Sequence, residues 1–234
     1  MQEVEVSAMS ILLLGHAREN STRTTDKMLR PFADTTLFNL YCYKFRELMK
    51  NHKFSNVTMA LYKDDKRLID IAKKNGVPIT YRKKASVTSS PDIDCRTLFH
   101  YLEDFDETHV AWINGCFPLL QTNTVIDIVT YFTNCKLKSL HCVKRRHNWF
   151  WDDNTKLPIN VNPSVLATQS QKVLLESVHF MHIFDREYLL KHNQMFPFTK
   201  DNPYLYEVDD TIEFYDIDTE KEFDVCEVLY EKRT

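Results

Sequence analysis

The chain has 234 residues, of which 43% are hydrophobic and 27% charged, with a formal net charge of -3 and a pI near 6.3. This composition excludes a disordered chain, and the length suffices for a sizeable core in one large domain or two small ones. Without a basic excess, bulk binding to polymeric nucleic acid is disfavoured, while a local basic pocket for a small phosphate ligand stays open.

The start, Met1-Gln2-Glu3-Val4-Glu5, is acidic where a signal peptide is basic, and Ile11-Leu12-Leu13-Leu14 is too short to span a bilayer. Cys42, Cys95, Cys116, Cys135, Cys142 and Cys226 lack metal-ligand or CxxC spacing, which fits free thiols in a reducing compartment. The expectation is a soluble cytoplasmic protein with no membrane partner.

Ser10 to Gly15 is an apolar run of strand length, followed by a polar loop carrying Arg18, Arg23 and Lys27. Thr36 to Lys50 has helical spacing through Leu37, Leu40, Tyr41, Phe45 and Leu48, and stops at Asn51-His52. Val57 to Tyr62 predicts a second buried strand, Asp65 to Lys74 a short helix ending at Asn75-Gly76, and Val77 to Tyr81 a third strand. Cys95 to Glu103 again has helical spacing, Val110 to Ile113 predicts another internal strand, and Asn123 to Phe132 another helix. This alternation predicts a doubly wound α/β domain with a mostly parallel sheet.

From Leu137 to Tyr206 the pattern changes to short extended runs, aromatics and Pro158, Pro163, Pro197 and Pro203. No Pro/Ser-rich or charged linker precedes it, so residues 137–206 are expected as an irregular inserted subregion of a single domain over 1–234. Glu222 to Tyr230 should pack back as a helix through Phe223, Cys226, Val228 and Leu229.

Glycine occurs only at Gly15, Gly76 and Gly115, which excludes GxGxxG and GxxxxGK phosphate loops. The loop after the first strand offers side chains instead. Arg supplies a bidentate fork for phosphate oxygens and Lys a mobile point charge, at the carboxyl end of a strand where open α/β sheets bind ligands. A solvated basic loop explains the same residues. Near the other end, Asp216-Ile217-Asp218 places two carboxylates on one side of an extended segment with Ile217 pointing away, a donor pair for one hard cation such as Mg²⁺. Acidic doublets on solvated turns look the same.

The loop Ala17-Arg18-Glu19-Asn20-Ser21-Thr22-Arg23-Thr24-Thr25-Asp26-Lys27-Met28 resembles the nucleotide-binding segment of the acylneuraminate cytidylyltransferases, A-R-x-x-S-x-R-x-P-x-K-N, with Thr25 and Met28 in place of Pro and Asn. These enzymes activate sialic and related nonulosonic acids. Asp70 to Val77 followed by Arg82 resembles the family's second helix, turn and strand. Val110 to Leu119 resembles its L-L-Q-P-T-S-P-L block with Asn114 for Gln, and Tyr215 to Phe223 its I-D-I-D-T-x-x-D-F block with Tyr215 and Glu222 substituted. The four blocks keep the family's order and cover most of the chain.

The resemblance implies an α/β nucleotidyltransferase of the nucleotide-diphospho-sugar transferase type. CTP would be the donor, Mg²⁺ the cofactor, an acidic sugar the acceptor, and the chain a homodimer formed through an inserted arm. It implies Ala17, Arg18, Ser21, Arg23, Lys27, Arg82 and Asn114 as nucleotide-binding residues, Asp216 and Asp218 as metal ligands, and Arg18, Lys27 and Asp216 as the catalytic set. Two rivals remain: a glycosyltransferase with an Asp-x-Asp metal site, and a nucleotide-binding protein that has lost turnover, for which Met28 and Leu120, where the family often has Arg, speak.

Other candidates weigh less. His16 beside the loop reads as a packed or hydrogen-bonded residue, Lys144-Arg145-Arg146-His147 as a solvated face, and Trp149-Phe150-Trp151 as core or dimer contact. Thr168-Gln169 and Glu176 to Phe180 fall where the family places acceptor contacts. His179 and His182, three apart with no third ligand in view, are not expected to form a zinc site. Arg186 is expected in a surface salt bridge.

Overall fold

The computed structural model describes residues 9–19, 24–88, 92–209 and 211–233. In chain order the elements are β1 (Ile11–His16), β2 (Pro31–Phe32), β3 (Thr35–Thr36), α1 (Leu37–Leu48), β4 (Asn56–Tyr62), α2 (Lys66–Lys74), β5 (Ile79–Arg82), α3 (Cys95–Leu98) and β6 (His109–Asn114). There follow α4 (Thr122–Asn134), β7 (Leu140–Arg146), β8 (Leu174–Asp185), α5 (Arg186–His192), β9 (Tyr204–Glu207) and α6 (Glu220–Glu231). Short 3₁₀ turns cover Lys84–Val87 and His100–Asp104, so the helix expected over Cys95 to Glu103 breaks at Phe99.

The central sheet has the order β5-β4-β1-β6-β8-β7-β9. Pairings are parallel from β5 to β6 and between β7 and β9, and antiparallel only where β8 sits between β6 and β7. After β5 the chain crosses back over β1 to place β6 on its other side, which makes the carboxyl ends of β1 and β6 the switch point where α/β sheets open a crevice.

Strand alternation divides the core in two. Ile11 and Leu13 face one layer with α1, α2, α4 and α6; Leu12 and Leu14 face the other with Phe99, Tyr101, Phe184 and Leu189. Helix α1 forms because its apolar residues recur on one face and the Thr36 hydroxyl accepts from Asn39 N; Phe38, Cys42 and Phe45 are wholly buried by it. Helix α6 starts at a reciprocal cap between Thr219 and Glu222, and buries Phe223 and Cys226.

Residues 137–206, expected as an irregular insertion, carry β7, β8, α5 and most of β9; the irregular chain narrows mainly to 147–173 and 193–203. The twelve-residue β8 hides from a period-two reading because its later half, Phe180 to Phe184, is buried on both sheet faces while its first half, Val178 apart, is largely exposed. No helix among the described residues is long and apolar enough to cross a membrane.

Candidate active site

The loop after β1 and the segment before α6 meet over the switch point. Lys27, 7% exposed, donates its ammonium to the Ile217 carbonyl and lies 4.0 Å from Asp218 Oδ1. The Thr24 hydroxyl donates to the Asp218 carbonyl at 3.1 Å, a second tie between the same segments. Ile217 is fully buried and its N–H donates to Cys116 O at 3.0 Å, just past the end of β6. Asp216 and Asp218 flank it and stay partly exposed, the alternation expected of extended chain.

Both carboxylates lie close enough to the Cys116 thiol to oppose its ionisation. Burial is the larger reason that this thiol is pushed up, and the Lys27 ammonium acts the other way. Cys116 therefore stays protonated and is no nucleophile at neutral pH. Asn114, the last residue of β6, pairs in register with His16 at the end of β1, and its Oδ1 accepts from Cys116 N at 3.0 Å. That bond holds the turn against which Ile217 docks.

A second group lies toward β5. Arg18 donates to the carbonyls of Val87 and Thr88 at 3.2 and 2.9 Å, while buried Arg82 donates to the Ser86 hydroxyl at 3.3 Å and to the Ser86 carbonyl. Burial, with the Arg18 guanidinium nearby, draws Arg82 down to about 10, so it remains a cation at neutral pH. Ala17 is buried, and the loop start is clamped to the start of α2: Glu19 N donates to Asp65 at 3.3 Å, and Arg67 grips the Glu19 carboxylate at 3.0 Å. Beside this group, Tyr62, Tyr81, Arg82, Lys83 and His100 border an open recess of about 530 Å³.

Ser21 and Arg23 lie outside the described residues. Of the other expected site residues, Lys27 meets Asp218 beside Asp216, and Asn114 reaches the same segment through Cys116; Arg18 and Arg82 lie toward β5, and Ala17 is buried at the start of the loop. Carboxylate oxygens suit a hard cation such as Mg²⁺, and the Lys27 ammonium 4.0 Å from Asp218 Oδ1 is the like charge such a cation would face. Cys116 and Thr24 join the Lys27 group without having been singled out; the position of Cys116, two residues after the end of β6, was the available signal.

Other sequence candidates hold the fold. His16 bonds to the Tyr101 hydroxyl and packs on Phe99 and Trp112. Arg145 and Arg146 pair with Glu207 and Glu176 on neighbouring strands, and Arg186 donates to the Glu107 and Leu102 carbonyls in addition to facing Glu187. Gly15 and Gly115 are required by packing: a Cβ at Gly15 would stand 2.6 Å from Tyr41 Oη, and one at Gly115 2.8 Å from the Tyr41 ring.

No protein-family model matches the chain, and no curated protein matches its sequence. Solved structures do share its fold. A CMP:2-keto-3-deoxy-manno-octonic acid synthetase complexed with CTP superposes with a TM-score of 0.70 at 12% identity, covering 96% of this chain and 100% of that one. A 4-diphosphocytidyl-2C-methyl-D-erythritol synthase from Anaerococcus prevotii gives 0.66 at 12% identity, over 95% and 99% of the two chains. A cytidylyltransferase from Leptospira borgpetersenii gives 0.58 at 16% identity, over 96% and 88%. Identities this low establish the fold, a mostly parallel α/β sheet of the same architecture.

Proposed function

We propose that the protein is a cytidylyltransferase that transfers CMP from CTP to an acidic sugar of the nonulosonic type and releases pyrophosphate. The observation that supports this reading is the meeting of Lys27 with Ile217 and Asp218 at the switch point, in a fold shared with a synthetase solved with CTP. A sugar hydroxyl attacks the α-phosphorus and pyrophosphate departs, so the protein's task is positioning and charge neutralisation. Arg18 and Lys27 face the triphosphate, with Arg23 secondary; Ala17, Ser21, Arg82 and Asn114 shape the nucleotide site. Asp216 and Asp218 hold Mg²⁺, which when bound supplies positive charge to the phosphoryl oxygens.

Incubation of the purified protein with CTP, Mg²⁺ and a panel of acidic sugars, followed by a pyrophosphate assay, tests the reaction. Release with one acceptor is expected. In that assay Lys27→Ala should lower turnover at least about 100-fold, or about 2.7 kcal/mol; unaltered turnover would remove Lys27 from the mechanism. UDP-sugar binding without CTP binding would favour the glycosyltransferase.

One observation favours a second reading, nucleotide binding without turnover: the Arg18 and Arg82 guanidiniums are engaged by backbone carbonyls of residues 86–88. CTP binding with no pyrophosphate release from any acceptor would select it. Cytoplasmic location and a homodimer complete the proposal. For the dimer the support is the 147–173 segment, where Trp149, Trp151, Leu157, Ile159 and Leu166 are all exposed.

A further inference from the structure

His141 on β7 stands in register with His182 on β8. On a regular strand His179 and His182, three apart, would project to opposite faces. The register breaks between them: on β7 only Cys142 separates His141 from Val143, while on β8 the residues 178–181 separate their partners His182 and Ser177. A break of this kind re-aims side chains, and here it turns His179 toward the other two. The ring nitrogens converge, with His141 Nδ1 2.9 Å from His182 Nδ1 and His179 Nδ1 3.4 Å from His182 Nε2. One nitrogen from each ring lies within 4.8 Å of the others. The third ligand missing from the sequence pattern is thus His141, brought in from another strand.

We infer that His141, His179 and His182 form a binding site for a divalent transition metal, Zn²⁺ by preference, with three imidazole ligands and a fourth position open to water.

Three features beyond proximity support the site. Zinc at about 2.0–2.1 Å from each nitrogen in a tetrahedron needs ligands about 3.4 Å apart; one nitrogen per ring already lies within 4.8 Å of the others, and ring rotation closes the rest. The outer shell is in place: His141 Nε2 is 2.9 Å from Ser177 Oγ, which leaves Nδ1 to ligate, and the Trp112 indole stacks on His182 at 5.2 Å and fixes its plane. Access is also in place, because His141 and His182 are buried while His179 is exposed. Burial and the neighbouring imidazoles keep His141 and His182 neutral, the form that binds metal. A nitrogen donor set selects zinc, copper or nickel over magnesium, so this site is separate in chemistry and residues from the Asp216 and Asp218 pair.

The test is metal binding by the full chain, read without any enzymatic assay. Zn²⁺ titrated against a chromophoric chelator should bind one per chain. Co²⁺ substituted for it should give the visible bands of a tetrahedral nitrogen and oxygen site with no thiolate charge-transfer band. His179→Ala, at an exposed position, should weaken binding by at least about 100-fold, and Ser177→Ala by about 10-fold, both with an unchanged circular dichroism spectrum. Equal affinity in the native chain and His179→Ala, or a thiolate band marking one of the cysteines as ligand, would overturn the site.

Discussion

At the scale of single residues, Tyr41 explains much of how the switch point is built. Its hydroxyl donates to Ile113 O at 2.5 Å, so its ring is pinned against both strand ends and leaves no space for a Cβ at Gly15 or Gly115. Gly15→Ala therefore places a methyl against an oxygen that cannot swing away. The expected loss is about 1–3 kcal/mol, read as a lower urea midpoint; an unchanged midpoint would show that α1 shifts freely. His16 carries a different liability. Burial, with Arg82 and His100 nearby, holds its pKa well below 6.5. Below about pH 6.5 the unfolded chain takes up a proton that folded His16 resists, so stability falls with falling pH, by at most about 1.4 kcal/mol per pH unit. Urea unfolding at about pH 7.5 and about pH 5.5 should show a smaller acid loss for His16→Gln than for the native chain. Equal losses would assign the slope to other groups.

At the scale of elements, the cap of α6 also holds the backbone of Asp218. Glu222 accepts from Asp218 N at 2.9 Å and from Thr219 N at 2.7 Å, and Thr219 Oγ1 accepts from Glu222 N at 3.3 Å. Thr219→Ala should cost about 1 kcal/mol of stability and, under the proposed function, raise the Mg²⁺ concentration needed for half-maximal pyrophosphate release. A stability loss with unaltered Mg²⁺ dependence would separate the cap from the carboxylates. Elements with local signals were legible in the sequence: β1, α1, β4, α2 and β6 each carry their own period and stop residues and fall within a residue or two of the expected bounds. Strands β8 and β9 were not, since burial on both faces erases alternation in one and the other has four residues. The basic loop and the Asp216-Ile217-Asp218 pair were visible as chemistry. Their meeting, like that of His141 with His182, depends on tertiary placement that no local window contains.

At the scale of the whole molecule, two surfaces are set apart: the crevice over β1 and β6, and the exposed apolar residues of 147–173. Trp151, 57% exposed, and Leu166, 84% exposed, lie on the second, the surface that the proposed dimer would cover. Sedimentation should find the native protein as a dimer and the double variant Trp151→Ser, Leu166→Ser as a folded monomer; a native monomer would end the dimer reading. The crevice is closed by contacts between Lys27 and Ile217, 190 residues apart. On a ribosome adding about 5–20 residues per second, the basic loop leaves the tunnel roughly 10 to 40 s before the segment that completes it. The nascent chain can thus lay down β1, β4 and β5 while the crevice is still open on one side. A chain released before Asp216 would carry all the strands of the sheet without the carboxylates that the proposed chemistry needs.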